Sequence, residues 1–159
     1  MTTCAIIPCY NVGVRCIPVI QEASRHVGRV LAIDDGSTDD TRACIGQTEA
    51  ELVAFERNRG KGFALLEGFS VALRDEGTRV VITLDGDGQH DPREIPTLLA
   101  AFSAGAGDLI IGARAGPWKA MPLKRRLANR CSSFLISKLC GQPLPDSQSG
   151  FRLISRPAL

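Results

Sequence analysis

The strongest constraint on the fold is the alternation of short apolar runs with segments of helical spacing. Five runs rich in β-branched residues occur, at residues 4–8, 29–33, 52–56, 79–84 and 108–112. Between two of them, apolar residues recur at intervals of three and four, at Phe63, Leu66, Phe69 and Leu73, which is typical of a helix. Strands that alternate with helices predict parallel βαβ units in an α/β fold, with helices covering both faces of the sheet.

Two further helices are predicted between the first three runs. Ile20, Ala23 and Val27 keep helical spacing, and because proline suits a first turn, we expect this helix near 18–26. A second helix is expected to begin near Asp39, with Ser37 or Thr38 as its cap.

Length and composition narrow the class of protein. A chain of 159 residues with 44% hydrophobic and 23% charged residues is typical of one soluble domain, and a net charge of +2 does not favour nucleic-acid binding. The 6 cysteines lack CxxC or zinc-like spacing, which predicts reduced, mostly buried thiols in a cytosolic protein. No stretch approaches the roughly 18 apolar residues of a membrane span, so any membrane contact is expected at the surface.

Polar, glycine-rich clusters follow all five apolar runs. In chain order they are PCYN, DDGSTDDT, RNRGKG, DGDGQHDP and GAR. Each cluster alone is also what an ordinary turn contains. Ligands of parallel α/β sheets bind at the carboxyl ends of the strands, so the five clusters together predict one shared site at that edge.

The fourth cluster contains two carboxylates that predict a cation. Asp85 and Asp87 are two residues apart, so an extended backbone directs both to one side, and Gly86 lets the backbone approach a ligand. Neighbouring carboxylates repel each other unless a cation or a proton intervenes. Mg²⁺ or Mn²⁺ fits, because such ions bind one or two carboxylates, water and substrate phosphate oxygens. Zinc fits badly, since His26 and His90 are far apart in the sequence.

Six motifs in this order, PCYN, IDDGSTDDT, NRGKG, LDGDGQHDP, GAR and DSQSGFR, resemble those of the family 2 inverting glycosyltransferases. The likeness is greatest to polyprenyl-phosphate (dolichol-phosphate mannose synthase-like) sugar transferases and extends from Ala5 to Leu153. It implies the GT-A fold, a Rossmann-like mostly parallel sheet with helices on both faces, as a single domain over residues 1–159. Relatives usually continue further, so we expect either a truncated piece, without a C-terminal extension, or a minimal form.

The resemblance implies a donor site for a GDP- or UDP-linked sugar. Its positions are Pro8, Tyr10, Asn11, Asp34, Asp35, Lys61, Asp85, Gly86 and Asp87, of which Asp34 would support the base or ribose. Lys61 has two interpretations, a contact to base or phosphate and a solvated helix cap. Val12 departs from the family, which often has an acidic residue there.

The metal site implied for Mg²⁺ or Mn²⁺ consists of Asp85, Asp87 and Gln89. The nearby Asp91 has a separate interpretation. Because Pro92 follows it, Asp91 is expected to cap the next helix, with the proline in the first turn.

A basic segment after the fifth run predicts a site for an acceptor phosphate. It contains Lys119, Lys124, Arg125, Arg126 and Arg130. A phosphate acceptor needs cations but no general base, since its second pKa is near ~6. The resemblance implies that Arg114, Arg125, Asn129 and Ser149 bind this phosphate. The helix expected from Leu123 either packs in the core with a solvated basic face or lies on an anionic membrane.

The implied reaction is a single in-line displacement that inverts the anomeric configuration, at the cytoplasmic face of the membrane. Asp87, Arg114, Arg125 and Asp146 are the expected catalytic residues; Asp146 either orients the DSQSGFR loop or, with a hydroxyl acceptor, acts as base. The alternatives are a family 2 enzyme with a glycan hydroxyl acceptor and a non-catalytic nucleotide-binding remnant. A nucleotidyltransferase is disfavoured, because the glycine- and arginine-rich loop expected after its first strand is absent.

Overall fold

Strands and helices alternate along the part of the chain that the computed structural model describes, residues 2–112, 138, 141 and 149–159. The strands are Thr2–Cys9 (β1), Arg29–Asp34 (β2), Glu51–Ala54 (β3), Thr78–Thr83 (β4), Leu109–Ile111 (β5) and Arg152–Ser155 (β6). The helices are Cys16–Ser24 (α1), Thr41–Ile45 (α2), Lys61–Leu73 (α3) and Ile95–Ser103 (α4). Short 3-10 turns lie at Gly13–Arg15, Pro92–Glu94 and Arg156–Ala158.

Within these residues, the strands form one sheet in the order β3-β2-β1-β4-β6-β5. Strand β1 pairs in parallel with β2 and β4, and β2 pairs in parallel with β3. Strand β6 is antiparallel to both of its neighbours, β4 and β5. The predicted mostly parallel sheet is confirmed, and the reversed strand β6 is a feature that the apolar runs did not predict.

Helices pack on both faces of this sheet, as predicted. On one face, Ile7 and Ile82 of the sheet lie in a cluster with Ile20 of α1, Ile45 of α2 and Ile95 of α4. Because successive strand residues point to opposite faces, the neighbouring residues of β1 and β4 pack on the other side, against α3. The strands are therefore apolar on both faces, which explains why they read as continuous apolar runs.

Helix α3 approaches the sheet with a face different from the predicted one. Its buried residues are Ala64, Gly68, Val71 and Ala72, whereas Leu66 is 65% exposed. A Cβ atom at Gly68 would lie 2.5 Å from Cγ2 of Ile6. Small residues thus let the helix backbone come close to β1, and the large apolar residues of the predicted stripe do not all face the core.

Two predicted helix starts need correction. Helix α1 begins at Cys16 rather than Pro18, because a 3-10 turn leads directly into it. The helix ends at Ser24. Helix α2 begins at Thr41, and neither Ser37 nor Thr38 caps it; both bind Asn11 instead. The strand boundaries differ from the predicted ones by one or two residues at several ends.

Two other predictions are confirmed within the described residues, the cap at Asp91 and the buried free cysteines. The Asp91 carboxylate accepts a hydrogen bond from the backbone N–H of Arg93, and Pro92 occupies the first turn, although the turn is 3-10 and leads into α4. Cys4, Cys9, Cys16 and Cys44 are free thiols and buried. No helix in the described ranges has the length and apolar character needed to cross a membrane.

Candidate active site

A cavity of about 410 Å³ lies at the carboxyl ends of the parallel strands. Residues from the end of β1, from the turn after β2, from the loop that leads into α3 and from the turn after β4 line it. These are Pro8, Cys9, Tyr10, Val12, Asp35, Asn58, Gly60, Lys61, Asp85, Gly86 and Asp87. The sheet thus brings together the first four predicted clusters, because parallel neighbouring strands end at the same edge.

Asp35 shapes one wall of the cavity through its carboxylate. Its side chain is buried, with Oδ1 accepting from the Arg59 N–H at 2.7 Å. Oδ2 accepts from the Gly60 N–H at 2.9 Å and from Nδ2 of Asn58 at 3.1 Å. Gly60 has a φ of +90°, a backbone conformation that side chains rarely tolerate. Asp35 therefore holds the loop that presents Lys61. Asn58 also lines the cavity, although it was not among the residues predicted from the sequence.

Asp34 and Asn11 adjoin lining residues in the sequence but are not among the residues that line the cavity. Asp34 is fully buried; its Oδ1 accepts from the Ser37 N–H at 3.0 Å and its Oδ2 from Nε of Arg42 at 2.8 Å. Asn11, with a φ of +49°, accepts through Oδ1 from the Thr38 N–H at 2.9 Å. The Asn11 side chain thus connects the turns after β1 and β2, whereas the Asp34 side chain ties the turn after β2 to α2. Their contacts with the nucleotide stay predictions.

The carboxylate of Asp85 is enclosed by three neighbours. Its Oδ1 forms an ion pair with Nζ of Lys61, and its Oδ2 lies 3.8 Å from Nε2 of the buried His90. A Cβ atom built at Gly150 would lie 2.7 Å from Oδ2 of Asp85 and 2.9 Å from Nζ of Lys61. Only glycine at position 150, in the DSQSGFR motif, leaves room for this ion pair.

Asp87 also faces the cavity and is paired with Gln89. Its Oδ1 accepts from the backbone N–H of Gln89 at 3.0 Å, and its Oδ2 accepts from Nε2 of Gln89 at 2.7 Å. Gln89 itself is exposed and does not line the cavity. Between the two aspartates, a Cβ atom at Gly86 would lie 2.6 Å from Sγ of Cys9, so the backbone passes close to the floor of the cavity.

The oxygen atoms of Asp85 and Asp87 fit a hard divalent cation. Among the described residues, no three or more histidine, cysteine, aspartate or glutamate side chains come together as a closed metal centre. An ion such as Mg²⁺ or Mn²⁺ is bound through one or two carboxylates and completes its shell with water and substrate oxygens, so an open site of this kind suits it.

The segment before β6 is anchored beside these carboxylates. Ser149 is fully buried; its hydroxyl donates to the carbonyl oxygen of Gly112 at 2.6 Å and accepts from the Phe151 N–H at 3.3 Å. The hydroxyl of Thr83 donates to the carbonyl oxygen of Gly150 at 2.8 Å. These bonds show that the Ser149 hydroxyl positions this loop, while its predicted contact with the acceptor phosphate stays a prediction.

The floor and rim of the cavity differ in polarity. The pKa of the Cys9 thiol is raised well above its usual range by a hydrogen bond with the Cys16 thiol and by burial, so Cys9 is a neutral, apolar contact. Tyr10 is 47% exposed at the rim, where its ring is open to packing against a planar base.

The predicted acceptor side falls largely outside the described residues. The residues outside the described ranges include Arg114, Arg125, Asn129 and Asp146. The rest of the basic segment, with its predicted helix, lies outside them as well. Their roles stay predictions from the sequence.

Comparisons with known proteins agree over nearly the whole chain. Residues 4–159 match the model of the Glycosyl transferase family 2. The chain is 29% identical to the UDP-N-acetylglucosamine–dolichyl-phosphate N-acetylglucosaminyltransferase of Methanococcus voltae, over 97% of this chain and 69% of that protein. It is 34% identical to the polyprenol monophosphomannose synthase of Mycolicibacterium smegmatis, over 99% of this chain and 63% of that protein.

A solved structure shares the fold. Glucosyl-3-phosphoglycerate synthase from Mycobacterium tuberculosis, in complex with Mn²⁺, UDP and glucosyl-3-phosphoglycerate, superimposes with a TM-score of 0.75 at 22% identity. The match covers 98% of this chain and 57% of that one. At this level of identity the likeness concerns the fold alone.

Proposed function

This chain belongs to glycosyl transferase family 2, and from that membership we propose that it transfers a sugar from a nucleoside-diphosphate sugar to a polyprenyl phosphate. The observation that carries the proposal is the cavity in which Lys61, Asp85 and Asp87 converge. Its volume of about 410 Å³ lies within the usual range for small-molecule sites. The two relatives named for dolichyl phosphate and polyprenol monophosphomannose chemistry support a lipid phosphate as the acceptor.

Each charged group of the cavity has a part in binding the donor. Asp85 and Asp87 would hold Mg²⁺ or Mn²⁺, and a divalent cation there supplies charge stabilisation for a leaving diphosphate. Lys61 contributes a second positive charge on the same side, and the loop held by Asp35 orients it. Tyr10 packs against the base. The residues therefore bind the half of the donor that departs and leave the anomeric carbon open to attack from the opposite side.

The acceptor phosphate requires cations and no base. A phosphomonoester is already largely dianionic near neutral pH, since its second pKa is near ~6. We assign Arg114 and Arg125 to this phosphate and propose that the basic segment lies at the cytoplasmic membrane surface, where anionic lipids attract lysine and arginine. An oxygen of the phosphate attacks the anomeric carbon as the bond to the diphosphate breaks, and the configuration inverts.

The test is a transfer assay with both acceptor classes. The purified chain is incubated with GDP- and UDP-linked sugars, with polyprenyl phosphate in vesicles or with free glycans, and with or without Mn²⁺ or Mg²⁺. We expect sugar in the lipid fraction only when a divalent cation is present. Transfer to free glycans alone would identify a hydroxyl acceptor. Thermal stabilisation by a nucleotide without any turnover would identify a binding remnant, and full activity without divalent metal would refute the metal role.

A further inference from the structure

The ion pair between Lys61 and Asp85 occupies the position where the proposed cation would bind. Nζ of Lys61 contacts Oδ1 of Asp85 directly. The Lys61 side chain is 50% exposed and that of Asp85 is 23% exposed, so the carboxylate is the more enclosed partner. Lys61 is the first residue of α3 and follows the loop that Asp35 holds in place.

This arrangement has an electrostatic reason. Asp85 and Asp87 both line the cavity, and two carboxylates at one site repel each other when no cation is present. The lysine ammonium is a compact point charge on a flexible four-carbon stem, so it can neutralise one carboxylate and move away at little cost. A Cβ atom built at Gly150 would lie 2.7 Å from Oδ2 of Asp85 and 2.9 Å from Nζ of Lys61, so the absence of a side chain at this glycine leaves room for the contact.

We propose that Lys61 is an internal counterion that competes with the divalent cation for Asp85, and that it transfers to the donor diphosphate when the nucleotide binds. This inference rests on the proposed function. In the nucleotide-free protein, a cation has to displace the ammonium to reach Oδ1 of Asp85. Once a diphosphate is present, its negative charge attracts Lys61 and frees the carboxylate. Metal and nucleotide therefore strengthen each other's binding, which is a reciprocal coupling between two ligands of one site.

The experiment measures Mn²⁺ binding directly, from the electron paramagnetic resonance signal of the free ion. Wild type, Lys61→Met and Lys61→Arg are compared, without nucleotide and with UDP or GDP at one fixed concentration. The matched control is Arg93→Met. Arg93 is an exposed cation that pairs with Asp91 in the connection between β4 and α4, and it does not line the cavity. Chelation of Mn²⁺ by the nucleotide in solution is the same for every variant and cancels in the comparison.

Without nucleotide, Lys61→Met should bind Mn²⁺ about tenfold more tightly than wild type, a change that corresponds to roughly 1.4 kcal/mol. Lys61→Arg should stay close to wild type because it keeps the charge. With UDP or GDP, the advantage of Lys61→Met should disappear or reverse, since the diphosphate then lacks its lysine. Circular dichroism would establish that each variant is folded, and Lys61→Gln would replace Lys61→Met if the latter is not.

Three outcomes would overturn the inference. Equal or weaker Mn²⁺ binding by Lys61→Met without nucleotide would show that no competition exists, while the proposed transferase activity would stand. An equal gain in Arg93→Met would show a general charge effect rather than a contact at Asp85. Absence of Mn²⁺ binding in all variants would overturn both this inference and the metal role in the proposed function.

Discussion

The hydroxyl of Thr83, the last residue of β4, donates a hydrogen bond of 2.8 Å to the carbonyl oxygen of Gly150, just before β6 begins. This bond joins two segments that are far apart in the sequence and fixes Gly150 against Asp85 and Lys61. The reversed strand β6 thus delivers a backbone segment to the cavity edge that the parallel strands alone would leave open.

Gly150→Ala should impair the site more than the fold. Its methyl group would lie 2.7 Å from Oδ2 of Asp85, so the carboxylate or the loop has to shift. Displacements of about 1 Å at a reacting site can lower the rate on the order of 100-fold. We therefore expect the transfer rate to fall by about 10-fold to 100-fold. Steady-state transfer kinetics and urea unfolding would measure both effects. Gly46→Ala is the control, since its Cβ would meet nothing closer than 3.5 Å; equal rates in the two variants would contradict the prediction.

Asp35→Asn should destabilise the protein and weaken nucleotide binding. The buried carboxylate accepts three hydrogen bonds, and an asparagine amide would place a donor against another donor. We expect a decrease of about 2 kcal/mol in the free energy of unfolding, the usual cost of an unsatisfied buried group. Urea unfolding and isothermal titration with UDP and GDP would measure these changes. The exposed Glu56 provides the control variant Glu56→Gln, and the prediction fails if both variants behave alike.

Asp87→Ala should abolish metal-dependent transfer while the fold stays intact. The side chain lines the cavity and is partnered only by Gln89 among the hydrogen bonds of the described residues, so little of the core depends on it. Loss of a group that stabilises the negative charge developing on the leaving diphosphate typically lowers kcat by ~10² to 10³. Transfer assays over a range of Mn²⁺ concentrations, together with circular dichroism, would measure the effect. Retention of full metal-dependent activity would remove Asp87 from the proposed metal site.

Asp91→Ala should lower stability and spare activity, since Asp91 caps the turn that leads into α4. Loss of such a cap costs about 1 kcal/mol. Hydrogen bonds from the Arg93 side chain and backbone lower the pKa of Asp91 below its ordinary value of 3.8. The stabilisation is therefore fully present above that value and is lost as the pH falls through the lowered pKa. Urea unfolding of both proteins from neutral pH downwards tests this, and a difference that persists unchanged at the lowest pH would contradict it.

Arg125→Ala should weaken the lipid phosphate acceptor much more than the donor. A charge-assisted contact to phosphate is about twice as strong as a neutral hydrogen bond, so we expect the KM for polyprenyl phosphate to rise at least ~tenfold. The KM for the nucleotide sugar should stay near that of wild type. Arg74→Ala, at the exposed C-terminal end of α3, controls for the loss of one positive charge. Equal increases in both KM values would place Arg125 elsewhere than the acceptor site.

Local pattern was sufficient for much of the fold and for the location of the cavity. The apolar runs identified β1 to β5, because strands buried on both faces of a parallel sheet are continuously apolar. The cap at Asp91 could be recognised because capping depends on neighbouring residues only. The buried face of α3 could not be predicted in this way, because Leu66 and Ala64 both suit a helix. Only the close approach of Gly68 to Ile6 decides which side is buried.

The chain order of strands and polar clusters was enough to predict a mostly parallel sheet with one ligand-binding edge and an acidic pair at its fourth strand. Which side chains face that edge was decided by tertiary contacts alone. Asp35 lines the cavity and the adjacent Asp34 is buried against Arg42, although both belong to one motif. Lys61, Asp85 and Gly150 meet only because α3, β4 and the turn before β6 converge. Contacts between residues so distant in sequence depend on how whole elements pack, and no local pattern encodes that distance.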